Sequence, residues 1–129
     1  MKKVSIAFFA LLLLAGLTTC LILSNQPSFT GERIKNPDSY ILNIQRMNGT
    51  DSHTLNLTTG DVLQVEFETE KGSLRMEITA PDGTVIYAGN GEKTTAFEIN
   101  ITEAGVYAIT VEAQHAKGRI YIHIKELTK

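Results

Sequence analysis

The sequence has one cysteine, no tryptophan and three prolines among its 129 residues. The single cysteine, Cys20, lies near the N-terminus, so no disulfide can form within the rest of the chain. Extracellular domains of this size often depend on disulfides, because a small core supplies little stability. A domain formed by the rest of this chain must instead be held by packing and hydrogen bonds.

Clustered positive charge is also absent. The chain carries 12 Lys+Arg against 14 Asp+Glu, a formal net charge of -2. Lys2 and Lys3 both fall in the N-terminal segment, so the remainder is more acidic still. Nucleic acids and anionic lipid surfaces select clustered Lys and Arg. The charge pattern therefore argues against nucleic acid as a partner.

The sequence contains no recognisable catalytic, metal or nucleotide motif. Its three histidines, His53, His115 and His123, lie in different segments without a cysteine partner or a short ligand spacing. No serine stands in a Gly-x-Ser-x-Gly setting. Most carboxylates fall in turns or on predicted solvated strand faces. We therefore predict a protein that is not an enzyme, with no catalytic residue, no metal and no cofactor.

The longest apolar run is at the N-terminus. Residues 4–23 carry no charge and follow Lys2 and Lys3. A positive start before an apolar stretch is typical of a secretory signal. We predict that residues 1–23 are a signal peptide or a helical membrane anchor, and that the rest of the chain is delivered to the outer face of the membrane.

Two alternatives remain for this segment. Leu17-Thr18-Thr19-Cys20 resembles the lipobox of bacterial lipoproteins, and the resemblance implies cleavage before Cys20 and lipidation of its thiol. The other alternative is an uncut anchor, because about 20 apolar residues cross a bilayer core of about 30 Å. Either way the chain is membrane-anchored and extracytoplasmic.

Residues 24–39 differ in composition from the segments on both sides. They are rich in Ser, Asn and Pro, including Pro27 and Pro37, and they show no sustained period. Such composition is typical of an extended, flexible linker. We predict a flexible tether over residues 24–39 and a folded domain over residues 40–129.

The folded part alternates with period two, which is the pattern of half-buried strands. Apolar residues occupy the odd positions of residues 63–68 and the even positions of residues 74–80. A two-residue turn at Lys71-Gly72 would join these runs as a hairpin with apolar residues facing each other.

Similar alternation predicts further strands at residues 40–44, 54–58, 85–87, 97–101, 107–111 and 120–124. About eight short strands without a helical period predict an all-β, antiparallel β-sandwich of the jelly-roll or Ig-like Greek-key type. The sequence leaves open which of Val85, Ile86 and Tyr87 face inward after the turn at Pro81-Asp82-Gly83. A three-residue loop turns Ile86 inward, whereas a two-residue loop turns Val85 and Tyr87 inward.

Two segments resemble the bacterial pre-peptidase C-terminal domain and related extracytoplasmic jelly-roll modules. They are GSLRMEITAPDG, residues 72–83, in which a strand leads into a Pro-Asp-Gly turn, and AGVYAITV, residues 104–111. The resemblance implies an accessory β-sandwich without catalysis. Within the second segment Tyr107 resembles the tyrosine corner of Greek-key sandwiches, whose hydroxyl bonds to nearby backbone.

The predicted last strand carries the candidate binding residues. Arg119, Tyr121 and His123 project from the side opposite the isoleucines between them. An aromatic ring between two hydrogen-bonding cations suits a sugar ring or a peptide. The alternative is that outward polar residues prevent pairing at a terminal edge strand.

We therefore predict a non-catalytic binding module. Its partners would be a cell-wall glycan, a peptide or another exported protein, in addition to the membrane that holds its N-terminus. The alternative function is a structural accessory subunit of a membrane or cell-envelope assembly, docked through an exposed strand edge.

Overall fold

The computed structural model describes residues 26–93 and 95–125, and all of their regular structure is β-strand. The strands are β1 (Ser28–Asn36), β2 (Ser39–Leu57), β3 (Val62–Thr79), β4 (Val85–Gly89), β5 (Thr95–Asn100) and β6 (Gly105–Ile124). Cys20 and the predicted signal or anchor of residues 1–23 lie outside the described residues. Within the described ranges, no helix is long and apolar enough to cross a membrane.

The strands form one antiparallel sheet in the order β1-β2-β6-β3-β4, and β5 also pairs with β3. On the side of β3 away from β6, β5 pairs with the first half and β4 with the second half. The all-β, antiparallel prediction is confirmed. The strand count is corrected, because β2, β3 and β6 are 19, 18 and 20 residues long and replace pairs of shorter predicted strands.

Each of these three long strands changes the parity of its buried face halfway along. In β3, for example, the buried residues are first odd-numbered, at 63, 65 and 67, and then even-numbered, at 74, 76 and 78. The register shifts near Met47 in β2, near Gly72 in β3 and on the adjoining stretch of β6. We call this line of irregularities the crease. A bulge inserts an extra residue, which bends a strand and moves later side chains to the opposite parity.

Three residues at the crease have a positive φ, a backbone region that favours glycine. They are Gly49 with φ of 109°, Gly72 with φ of 68° and His115 with φ of 44°. The backbone N–H of His115 donates a hydrogen bond to Asn48 Oδ1 at 2.7 Å. This bond across neighbouring strands fixes a conformation that a residue with a Cβ rarely adopts.

The two halves of the creased sheet share one hydrophobic core. Leu42 and Phe67 come from the first half, and Leu55, Ile78 and Ile109 come from the second; all are at most 1% exposed. Because both halves bury the same side of the sheet, the sheet folds over at the crease into a sandwich-like arrangement of two layers. The side that faces away from the core is exposed or half-buried at most positions of both halves.

The predicted hairpin at Lys71-Gly72 is wrong. β3 continues through these residues and pairs with β6 on both sides of them, so Phe67 lies opposite Ile120 and Met76 lies opposite Val111. A hairpin turn and a bulge both reverse the phase of an apolar alternation, and the sequence pattern does not distinguish them.

The tether of residues 24–39 also needs correction where the structure describes it. β1 (Ser28–Asn36) pairs with β2 along its whole length as an edge strand. Its residues are exposed except for the half-buried Phe29, so β1 shows no apolar alternation. Backbone hydrogen bonds and ion pairs hold it in place, and neither leaves a hydrophobic period in the sequence.

A polar cluster closes the core beside β1. The Asp51 carboxylate, whose side chain is 9% exposed, pairs with Arg33 Nε at 3.2 Å and Lys35 Nζ at 3.4 Å. It also accepts a hydrogen bond from the Tyr40 hydroxyl. The His53 ring lies 5.3 Å from the Tyr40 ring, centroid to centroid. We call these five residues the Asp51 cluster; it joins β1 and the start of β2 to the second half of β2, across the two layers.

Because Tyr40 belongs to the Asp51 cluster, the protein should lose stability at alkaline pH. Burial, and secondarily the hydrogen bond to Asp51, raises the pKa of Tyr40 far above its ordinary value of 10.0. The unfolded chain ionises this phenol above about pH 10 and the folded chain does not, so the contribution of Tyr40 to stability is fully present below that pH and is lost as the pH rises above it. We expect urea unfolding between pH 8 and pH 11 to show this loss.

The control for this prediction is Tyr40→Phe. This variant should lose less stability at alkaline pH than the unchanged chain does. A smaller loss should remain, because burial also raises the pKa of Tyr87. An unchanged pH profile in Tyr40→Phe would contradict the role given to Tyr40.

The loop between β3 and β4 settles the open orientation. Pro81-Asp82-Gly83 is a three-residue loop, closed by a hydrogen bond from Ala80 N to Thr84 O at 2.7 Å. A bulge after it places Tyr87 opposite Ile78. Tyr87 therefore packs on the core, while Val85 and Ile86 are 50% and 37% exposed. Each alternative was partly right, because the sequence does not show the bulge.

The tyrosine corner is confirmed. Tyr107 is 3% exposed, and its hydroxyl donates a hydrogen bond to the Glu103 carbonyl at 2.7 Å. Gly105, between them, has φ of 146°, and a Cβ there would lie 2.6 Å from Pro81 Cγ. Tyr107 is thus a structural residue.

Candidate functional site

The structure places Arg119, Tyr121 and His123 at the centre of a sheet face. β6 lies between β2 and β3 over its length. The suggestion that these residues protect a terminal edge strand is therefore wrong, because β6 has no free edge. We call the outward side of the first half of the sheet the candidate face; it is five strands wide, in the order β1, β2, β6, β3 and β5.

An apolar row crosses three neighbouring strands of this face. Ile34 of β1 lies opposite Ile41 of β2, which lies opposite Tyr121 of β6. Ile34 is 39% exposed, and the other two side chains are half-buried. Glu66 and then Ala96 continue the same row on β3 and β5. The row runs across the strands and presents apolar surface to solvent.

Polar residues flank the apolar row on both sides. On one side the register aligns Glu32, Asn43, Arg119 and Glu68. On the other side it aligns Asn36, Ser39, His123, Gln64 and Glu98. These positions are two residues along each strand from the apolar row, about 6.7 Å away along the backbone. The candidate face is thus an apolar line between two lines of hydrogen-bonding groups.

Two contacts position the side chains around Tyr121. The rings of Tyr121 and His123 meet edge-on, with centroids 4.8 Å apart and an interplanar angle of 71°. Arg119 Nη2 lies 3.4 Å from Glu66 Oε2, and both side chains are 52% exposed. Because both side chains are this exposed, the ion pair contributes little to stability, and the guanidinium and the carboxylate are accessible to a ligand.

The candidate face carries an excess of negative charge. Its carboxylates are Glu32, Glu66, Glu68, Glu70 and Glu98. The cations are fewer: Arg119, Lys117, whose Nζ lies 3.5 Å from Glu70 Oε2, and at the margin Lys125, whose Nζ lies 3.3 Å from Glu98 Oε2. An anionic ligand would meet net repulsion here.

The other histidines lie away from this face. His53 belongs to the Asp51 cluster, and His115 lies at the crease. In the part of the chain that the structure describes, no group of three His, Cys, Asp or Glu side chains is arranged to hold a metal ion. The Tyr121 ring and the polar side chains on both sides of it offer stacking and hydrogen bonding.

The sequence analysis missed Ile34 and Ile41 as parts of this site. Ile34 was assigned to the tether, and Ile41 is the outward neighbour of two core residues, Tyr40 and Leu42. Their alignment with Tyr121 is a property of strand register, which local sequence patterns do not contain. An isoleucine at an outward position of a strand was the one available signal.

No protein-family profile and no curated protein sequence matches the chain. Solved structures match in fold. PliG of Aeromonas hydrophila, a periplasmic inhibitor of g-type lysozyme, aligns with a TM-score of 0.50 and 17% identity, over 68% of this chain and 87% of that chain. The GH115 4-O-methyl-α-glucuronidase BtGH115A aligns with a TM-score of 0.40 and 8% identity, over 80% of this chain and 16% of that chain.

The carbohydrate-binding module TmCBM61, solved in complex with β-1,4-galactotriose, aligns with a TM-score of 0.38 and 15% identity, over 79% of this chain and 89% of that chain. Among these matches, the likeness to PliG reaches a level that indicates a common architecture. The chain therefore shares its all-β fold with a periplasmic protein.

Proposed function

We propose that this protein is a non-catalytic, extracytoplasmic binding module, tethered to the membrane, whose ligand docks on the candidate face. The observation that carries the proposal is the position of Tyr121. Its ring lies in the middle of an open sheet face, on a central strand, in line with two outward isoleucines. An aromatic residue with apolar neighbours on a solvated face is typical of a binding surface.

The N-terminal sequence supports the location. Residues 4–23 follow two lysines as in a secretory signal, and Cys20 stands at the end of a lipobox-like segment. The fold is shared with a periplasmic inhibitor, a protein that acts by binding another molecule. Lipidation of Cys20, or retention of residues 4–23 as a helix, would anchor the domain at the outer face of the membrane.

Each candidate residue has a distinct role in this proposal. Tyr121 supplies the apolar surface on which a ligand packs. Arg119, paired with Glu66, supplies planar donors beside a planar acceptor. His123 holds the Tyr121 ring edge-on, which reduces the ordering that binding requires.

A co-sedimentation experiment tests the proposal. The full chain, purified in detergent, is mixed with detergent-extracted, lipid-free envelopes of its source cells, so that residues 1–23 cannot add binding by inserting into lipid, and the bound fraction is measured. We expect the triple variant Arg119→Ala, Tyr121→Ala, His123→Ala to bind about tenfold more weakly or worse, because contacts at the centre of an interface dominate affinity.

The control variant carries Thr54→Ala, Arg75→Ala and Thr110→Ala on the outward side of the second half of the sheet. It removes one arginine, like the test variant, and should bind as the unchanged chain does. Equal binding by the test variant and the unchanged chain, or no binding by either, would refute the proposal.

A second candidate function is that of a structural accessory subunit that docks by a strand edge. The observation in its favour is β4, a five-residue edge strand whose Val85 and Ile86 are 50% and 37% exposed. An exposed apolar edge is a template for pairing with another chain. In the same assay Val85→Lys with Ile86→Lys would then abolish binding, and the triple variant on the candidate face would not.

A further inference from the structure

We infer that the ligand of the candidate face is a neutral, linear glycan that lies across the strands, along the row formed by Ile34, Ile41 and Tyr121. This inference rests on the proposed function and names the ligand class for the same face. It comes from the match between the pattern of the face and the shape of a pyranose chain.

The apolar row runs in the direction that a chain of sugar rings lying across the strands would need. Neighbouring strands lie about 4.8 Å apart, a distance close to the length of one pyranose ring. Ile34, Ile41 and Tyr121 lie on three consecutive strands in register. Successive sugar rings placed over this row would each meet one apolar side chain.

The polar groups of the face stand where the hydroxyls of such a glycan would project. A pyranose ring has apolar faces formed by its C–H groups, and its hydroxyls project outward around its rim. A ring lying on the apolar row therefore directs hydroxyls toward the polar lines on both sides. Near Tyr121 these lines offer the side chains of Asn43, Arg119 and Gln64, with Glu66 next in the row. Such planar groups form paired hydrogen bonds with adjacent hydroxyls.

The charge of the face favours a neutral glycan. The carboxylates of the face outnumber its cations, and its one central cation, Arg119, is already paired with Glu66. Glycans that carry uronate, sulfate or phosphate would be repelled. A neutral glycan meets no such penalty, and the acceptor carboxylates bind its hydroxyl donors.

Peptide and protein ligands fit this face less well. An extended peptide gains affinity by pairing its backbone with a sheet edge. The edges of this face are β1 and β5, and a peptide paired with either one would lie along that strand, two strands away from Tyr121 on β6. A stable protein interface buries about 800 Å² on each partner around a larger apolar centre. The apolar row offers only three side chains, two of them half-buried.

Isothermal titration calorimetry of the full chain in detergent tests the inference. The probes are the neutral hexasaccharides cellohexaose, mannohexaose and maltohexaose, with hexagalacturonate as the anionic comparison. We expect at least one neutral probe to bind and hexagalacturonate to bind more weakly. Tyr121→Ala should lower the affinity for the neutral probe about tenfold, because it removes the stacking surface.

Two further variants test the direction of the ligand. Ile34 lies two strands away from Tyr121. If the glycan crosses the strands, Ile34→Ser should lower the affinity for the hexasaccharide several-fold. Thr110→Ala, on β6 itself but in the second half of the sheet, should leave the affinity unchanged. An effect of Thr110→Ala without an effect of Ile34→Ser would overturn the predicted direction.

The outcomes separate this inference from the proposed function. If no neutral hexasaccharide binds, or if Tyr121→Ala binds as tightly as the unchanged chain, the glycan inference is wrong. The proposed function still stands in that case, provided that envelope binding is lost in the triple variant. If hexagalacturonate binds best, the ligand class assigned from charge is wrong.

Discussion

Replacing Gly72 with alanine is expected to lower the free energy of unfolding by about 2–4 kcal/mol. Gly72 lies in β3 at the crease with φ of 68°. An added Cβ would lie 2.1 Å from the His115 carbonyl oxygen and 2.5 Å from the Gln114 carbonyl oxygen. Both neighbours are backbone atoms of β6, so relief of the overlap requires the central strand to move. Urea unfolding of the full chain in detergent measures the loss.

The loss has two causes, backbone strain at a positive φ and overlap of the added Cβ with neighbouring atoms. Substitutions at two other glycines test them one at a time. Gly60 has φ of 96° and no atom within 4 Å of an added Cβ, so Gly60→Ala tests backbone strain alone. It should cost about 1 kcal/mol. Gly118 has no left-handed φ, but its Cβ would lie 2.2 Å from the Glu68 carbonyl oxygen. Gly118→Ala therefore tests the overlap alone and should cost about 1–3 kcal/mol.

These three variants also test the crease itself. If the two layers meet through a tight bend of continuous strands, Gly72→Ala must be worse than either control. If Gly72→Ala costs no more than Gly60→Ala, residues 71–72 are a loose turn, as the sequence pattern indicated, and the crease is wrong.

Replacing Asp51 with asparagine is expected to lower the free energy of unfolding by about 2–3 kcal/mol. Its carboxylate, 9% exposed, is the shared partner of Arg33, Lys35 and Tyr40. The amide keeps the volume but loses the charge, so two cations lose their pairing and the phenol loses a strong acceptor. The effect stays below that of a fully buried pair, because Arg33 and Lys35 are 40% and 37% exposed.

The matched control is Glu66→Gln, which makes the same change of a carboxylate to an amide. Glu66 pairs with one residue, Arg119, and both are 52% exposed. This variant should change stability by less than about 0.5 kcal/mol. Asp51→Asn should also increase the rate of amide hydrogen exchange, and the increase should be larger in β1 than in β5. Equal stability of the two variants would show that the Asp51 cluster does not hold β1.

The sequence predicted the faces of the strands better than their ends. In β3 every apolar residue at the predicted inward positions 63, 65, 67, 74, 76 and 78 is buried. The period-two pattern follows directly from strand geometry, so local residues are sufficient to show it. The continuity of β3 through Gly72 depends on its pairing with β6, some forty residues away. Local patterns do not contain that pairing.

The candidate face was predictable in part for the same reason. Arg119, Tyr121 and His123 share a face because they alternate along one strand, and the sequence shows this. Ile34 and Ile41 join this face only because β1 pairs with β2 and β2 pairs with β6, and a local sequence pattern does not show which strands pair. β1 was assigned to the tether because Arg33 and Lys35 stand where an apolar alternation is expected, and their partner Asp51 is distant in sequence.

The central place of β6 has a consequence for how the protein acquires its structure. β2 and β3 do not pair with each other; each pairs with β6, the last of the described strands along the chain. Until β6 has been synthesised, the earlier segments lack the template that brings them together, and most of the contacts that stabilise the sheet are distant in sequence. If the chain is exported unfolded, as the proposed function requires, this order delays collapse of the sheet until β6 is available.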